Sequence, residues 1–168
     1  MATEPWHAFV YDREGLTRHY THVPPLERVT LRSVHLSPWG PTLTLRFDLP
    51  RFADVVPPEW AEAGCDRLEC QVEFLAVRDL RLRGMPTGRL ADVELAARER
   101  PWLDVSLRGE GIELDLTCAD TLRVGHLNAY RSADGDPNRA RRWFVGPVDR
   151  RLYTTLPPTT GKSFYERL

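Results

Sequence analysis

Between Thr30 and Tyr130, apolar side chains recur at every second position: Leu43, Leu45, Phe47 and Leu49, then Leu68, Cys70, Val72 and Phe74, then Ile112, Leu114, Leu116 and Cys118. Thr, Arg, Asp, Glu and Gln fill most of the places between. A period of two puts one set on one face of a β-strand and the other set on the opposite face. Stretches of this kind must bury their apolar faces against one another, so the chain is confined to a sheet architecture.

Eight strands are expected, at Val29–Leu36, Thr42–Leu49, Arg67–Leu75, Val77–Leu82, Leu90–Ala96, Leu103–Leu107, Ile112–Cys118 and Leu122–Tyr130. In the first, Val29 and Leu31 share one parity while Val34 and Leu36 share the other, which calls for a β-bulge near Ser33. Ser37-Pro38-Trp39-Gly40-Pro41 is turn composition, so the second strand should return antiparallel beside the first. Gly84 to Gly88, Arg100-Pro101 and Gly109-Glu110-Gly111 supply further turns. Ala91 to Arg100 suits a helix equally well by propensity, and the regular strand spacing decides for a strand. A short helix is expected from Pro57 to Gly64, with proline at its start, glycine at its end and Trp60 as a core anchor. Asp12 could cap another, with Leu16 and Tyr20 on one side. The expected fold is mainly β, an antiparallel sheet folded as a sandwich or strongly curved, with one or two short helices. Strands and long helices do not alternate, so a doubly wound nucleotide-binding fold is not expected.

A chain of 168 residues makes one domain with a substantial core. No segment approaches the roughly 18–20 consecutive apolar residues of a membrane helix. The first residues include Glu4, His7 and Asp12 and do not resemble a signal peptide, which points to a soluble, cytoplasmic protein. The three cysteines, Cys65, Cys70 and Cys118, fit a reducing compartment. The net charge of −1 conceals an asymmetry. Residues 1–130 carry 15 basic and 20 acidic side chains, whereas residues 131–168 carry 8 and 4. Residues 1–130 read as a β-rich domain and 131–168 as a basic C-terminal extension packed on it. Tail and body could neutralise each other or present two surfaces to different partners. Trp143, Phe144, Tyr153, Phe164 and Tyr165 give the tail rings that need something to cover. Lys162 is the single lysine, so the richness in arginine is a bias of the whole chain and not a local signal.

The ordered set Leu16 to Tyr20, Val29 to Leu36, Gly40 to Pro50, Pro57-Pro58-Glu59-Trp60, Leu68 to Gly84, Arg123-Val124 and Leu127 to Tyr130 resembles the bacterial polymorphic-toxin immunity proteins of the immunity protein 50 family. The resemblance covers roughly residues 16–130 and departs after Tyr130. It implies a small β-rich protein without catalytic residues or a cofactor, which binds and neutralises a cognate toxin.

Other chemistries are poorly served by the residues present. Cys65, Cys70, Cys118 and His126 lack the paired knuckles of a structural zinc site. Gly161-Lys162-Ser163 ends like a phosphate loop, but Leu156 stands where the first glycine is required. Ser33, His35 and Asp48 allow a hydrolytic triad to be drawn, with no nucleophile turn around the serine. Arg139, Arg141 and Arg142 beside Trp143 and Phe144 have the make-up of a nucleic-acid patch, opposed by an acidic body. A ligand cavity inside a β-sandwich is a further alternative. Glu69, Glu73, Glu113 and Asp115 fall out of phase with the core and should line solvent-facing strand surfaces, as plain solubility or as an acidic face for a basic toxin. Trp39, in a turn, is the aromatic expected to be an exposed anchor, while Trp60 and Trp102 are expected inside. The candidate toxin-binding residues are therefore Trp39, Glu69, Glu73, Glu113, Asp115, Arg141 and Arg142.

Overall fold

The computed structural model describes residues 4–37 and 39–157. Among them, nine antiparallel strands form one sheet: β1 (Val29–Leu36), β2 (Leu43–Asp48), β3 (Arg67–Phe74), β4 (Arg78–Gly84), β5 (Leu90–Ala97), β6 (Trp102–Gly109), β7 (Ile112–Ala119), β8 (Arg123–Tyr130) and β9 (Trp143–Phe144). Their spatial order is β4-β7-β6-β5-β1-β2-β3-β8-β9, and the sheet does not close into a barrel. Three short helices, α1 (Glu14–Thr17), α2 (Pro58–Ala63) and α3 (Pro147–Leu152), and two single turns of 3-10 helix complete the described residues. The mainly β antiparallel fold is the one the alternation predicts. A ninth strand and a third helix, both after Tyr130, go beyond it.

The bulge in β1 falls between Leu31 and Ser33. Leu31 faces Phe47 before it and Val34 faces Leu45 after it, so one inserted residue brings both parities onto the core face. Helix α2 follows its punctuation, with Pro58 in the first turn and Gly64 at φ 73° closing it. Its Trp60 is 1% exposed and stacks on His19, ring centroids 4.7 Å apart. Asp12 does not cap α1, since Arg13 holds the N-cap position and no side chain bonds there. Leu16 and Tyr20 are nonetheless both buried, and the Tyr20 hydroxyl donates to the Arg51 carbonyl at 2.9 Å.

The chain pairs β1 with β2 and β2 with β3 as neighbours, then carries β4 to the far edge, beside β7. The two parts of the sheet, β4-β7-β6-β5 and β1-β2-β3-β8-β9, join over a short stretch where Val29 meets Ala91, Thr30 meets Leu90 and the Leu31 amide donates to the Arg89 carbonyl. One apolar cluster draws Phe47, Leu68 and Trp60 from one side and Leu103, Leu107 and Leu114 from the other. The sheet therefore bends about that junction to wrap a shared core, each fully buried side chain contributing roughly 1.5–3 kcal/mol. Cys65, Cys70 and Cys118 are free thiols inside it, where a thiol packs as a small apolar group. Gly84 closes β4 against the β6–β7 turn: at φ 75° a Cβ there would sit 2.2 Å from the Gly111 carbonyl.

Candidate functional site

The polar sets on the strands form two faces. On β2, β3 and β8 the register aligns Asp48, Glu69 and Asn128 in one row, Arg46 and Gln71 in the next, then Thr44, Glu73 and Arg123. Alternation alone would put this face in water. Instead the segment after Tyr130 lies across it: β9 pairs with β8 through Phe144 and Trp143, and the Arg142 amide donates to the Thr154 carbonyl. The Arg142 side chain donates to Glu69 Oε2 at 3.1 Å and to Asn128 Oδ1 at 3.2 Å, and also to the Pro137 carbonyl. Its guanidinium lies 3.8 Å over the Tyr130 ring. Arg46 approaches the other Glu69 oxygen at 3.4 Å, an ionic contact without hydrogen-bond alignment. Beside them Arg32 and the Tyr130 hydroxyl both donate to Asp48 Oδ2, at 2.7 and 2.5 Å.

Glu69, Glu73 and Arg142 are thus corrected from surface to interior: they are 0%, 2% and 3% exposed. Loss of water pushes the Glu69 carboxyl above the usual carboxylate range, against the pull of Arg142 and Arg46. Burial raises Glu73 likewise, opposed by Arg123 at 3.8 Å. Burial and the bond to Asp48 push the Tyr130 hydroxyl to about 12. Five charged groups and a tyrosine packed together can hold a chain segment in one register. Asp48 stands opposite Thr30 with one oxygen given to Arg32 and Tyr130, whereas Ser33 faces Arg46 and His35 faces Thr44. The three residues drawn as a triad are not brought together as one.

The second polar face belongs to β5, β6, β7 and β4. Glu113 is exposed there and Asp115 half-exposed, Asp115 receiving Arg108 at 2.8 Å and Glu113 lying 4.0 Å from Arg83. With Asp79, Glu94 and Asp104, Asp115 lines a shallow concavity of about 340 Å³. Trp39 is 77% exposed at the β1–β2 turn. Arg141 is exposed, its guanidinium 4.9 Å over the Trp143 ring. Trp102 is half-buried, not inside, and carries the Arg78 guanidinium 3.6 Å over its ring. Of the seven candidate residues, only Glu69 and Arg142 are brought into contact with one another.

Residues 12–130 match the immunity protein 50 family. The chain belongs to that family. No curated protein and no solved structure matches it. The matched part contains Asp48, Glu69, Asn128 and Tyr130, while Arg142 and the rest of the cover lie beyond it.

One of the tail's cations, Arg142, is turned inward in this family member, while Arg131, Arg139, Arg141, Arg150 and Arg151 are exposed. Arg142 pairs with Glu69 and Arg150 with Glu59 of α2 at 3.0 Å, while Arg139 lies 3.8 Å from Asp136. His126 Nδ1 lies 3.1 Å from Asp149 of α3. Two ion pairs between tail and body, at Arg142 and Arg150, neutralise part of the charge asymmetry that could have marked a nucleic-acid patch. Gly161-Lys162-Ser163, Phe164 and Tyr165 lie outside the described residues. Among the described residues no three His, Cys, Asp or Glu side chains are grouped to hold a metal ion, and no helix is long and apolar enough to cross a membrane. Sequence reasoning missed Arg32, Arg46, Asn128 and Tyr130 as parts of a polar network. Its one available signal was the opposite charge of tail and body.

Proposed function

We propose that this chain binds a cognate toxin by direct protein–protein contact and neutralises it, acting in the cytoplasm without chemistry or a cofactor of its own. The observation that carries the reading is the match of residues 12–130 to the immunity protein 50 family. The contact surface is drawn from residues that a partner can reach: Trp39 at the β1–β2 turn, Glu113 and Asp115 on β7, and Arg141. An exposed tryptophan supplies apolar area to an interface, and carboxylates on an open strand face raise the association rate of a basic partner. Glu69 and Arg142 enter this reading as internal support, holding residues 131–157 against the sheet, and Glu73 as a buried carboxylate beside Arg123.

The test is co-expression with the toxin domain encoded by the adjacent gene. A stable complex on purification, together with survival of cells producing both proteins, is the expected result. Absence of a complex, or death despite expression of this chain, would refute the reading.

A further inference from the structure

Because β1 and β5 overlap only at their first residues, each runs on past the junction without the other. Beyond the overlap β5 continues through Val93 and Leu95 along a groove of about 1010 Å³, whose walls include Trp6, Val23, Leu26 and Glu27, and ends at Ala97, next to the last lining residue Ala96. The Val93 amide donates into this groove wall, to the Leu26 carbonyl at 2.8 Å, and so points away from β6. The β5–β6 register is unbroken from Ala91 to Ala97, so Leu95 and Ala97 repeat the phase of Val93 and turn their backbone groups the same way. Among the described residues neither of those amides has an acceptor on that side. Here a sheet edge is left open in the middle of the sheet order.

The walls of this groove are acidic. Glu4, Glu27, Asp92 and Glu94 are exposed and line it, and among the described residues none of them is in an ion pair and Arg28 is the one cation of the lining. Asp92 is partly used, accepting the Arg28 backbone amide at 2.7 Å. Open edges in natural sheets are commonly guarded by lysine, proline or a bulge. This one carries none of those over Val93–Ala97, and its carboxylates repel a second copy of the same acidic edge. We infer that the partner inserts an extended, Lys- or Arg-bearing segment that adds as a strand to β5 at Leu95–Ala97, its cations meeting Glu4, Glu27 and Glu94. Main-chain pairing supplies affinity, and the carboxylates select a basic segment. The inference rests on the toxin-binding reading and names where and how the toxin is held.

The experiment uses the toxin domain of the adjacent gene as the probe. In the complex, exchange of the Leu95 and Ala97 amides with deuterium should slow by about tenfold or more relative to the free chain. Glu27→Lys with Glu94→Lys should weaken binding about tenfold or more, with a loss that shrinks as salt rises. Ala97→Pro, which removes one groove-facing donor and no β6 bond, should weaken it further. If the wild-type complex forms while these amides stay unprotected and the variants bind within about twofold of wild type, the inference falls and toxin binding stands. If no complex forms with the wild type, both fall. Protection of the same amides by concentrating this chain alone would assign the edge to a second copy and overturn the inference.

Discussion

On β3, Glu69 and Glu73 alternate with Leu68, Cys70, Val72 and Phe74 and are almost wholly buried; on β7, Glu113 and Asp115 alternate with Ile112, Leu114 and Leu116, Glu113 exposed and Asp115 half-exposed. The residue types and the period are the same. What differs is the covering layer. Residues 131–157 pass over β2, β3 and β8 and bring Arg142 with them, whereas no described element lies over β4-β7-β6-β5. Alternation states which side chains share a face, and a neighbour remote in sequence decides whether that face meets water. A covered polar face demands partners for each charge, because an ion taken from water without one is strongly penalised. An open face makes no such demand, and its charges are free to serve a partner.

The largest effect that could break this contrast is expected at Arg142. Arg142→Ala leaves Glu69 buried with only the 3.4 Å approach of Arg46, and should cost about 3–5 kcal/mol in urea unfolding. A loss under about 1 kcal/mol would mean that water reaches the carboxylate and that the two faces do not differ. A double-mutant cycle with Glu69→Gln sharpens the point. Coupling between the two positions is expected at about 0.5–3 kcal/mol, since they share one hydrogen-bonded network. Additive losses would assign the effect of Arg142 to its packing on Tyr130 instead.

Much of the fold is legible because its signals are local. The bulge before Ser33 follows from two parities within eight residues, α2 from its proline and glycine, and the β1–β2 hairpin from the turn around Gly40. Spatial order is not local. β4 begins four residues after β3 ends yet pairs with β7, and no periodicity records which neighbour a strand will choose. β9 spans two residues, too few to show a period. The misplacement of Glu69 has the same origin, since the group packed on it is an arginine 73 positions away. Trp39, by contrast, was readable as an exposed ring, because a tight turn has no second layer to cover it.

A smaller effect, visible as a trend with pH, is expected at Glu73. Burial raises its pKa above the ordinary 4.5, so the folded chain holds that proton more tightly than the unfolded chain does. Its contribution to stability is therefore fully present below about 4.5 and lost as pH rises through the raised value. Glu73→Gln cannot ionise. The difference in Tm between this variant and wild type should move in the variant's favour as pH rises from about 4 to about 7. A difference that stays constant would place Glu73 among hydrated carboxylates, alongside those of the open face.

The smallest effect should come from that open face. Asp115 and Arg108 approach to 2.8 Å, but the two side chains are 46% and 50% exposed, and water screens the pair. Asp115→Ala should therefore change unfolding by about 0.2–1 kcal/mol, well below the cost at Arg142. Its value lies in what it separates. If Asp115 contributes to toxin binding, the variant keeps its unfolding midpoint while its association with the toxin domain slows, most visibly at low salt where steering by exposed charge is strongest. A large loss of stability with unchanged association would reverse the assignment, making β7's outer face structural and returning function to the side of the sheet that residues 131–157 cover.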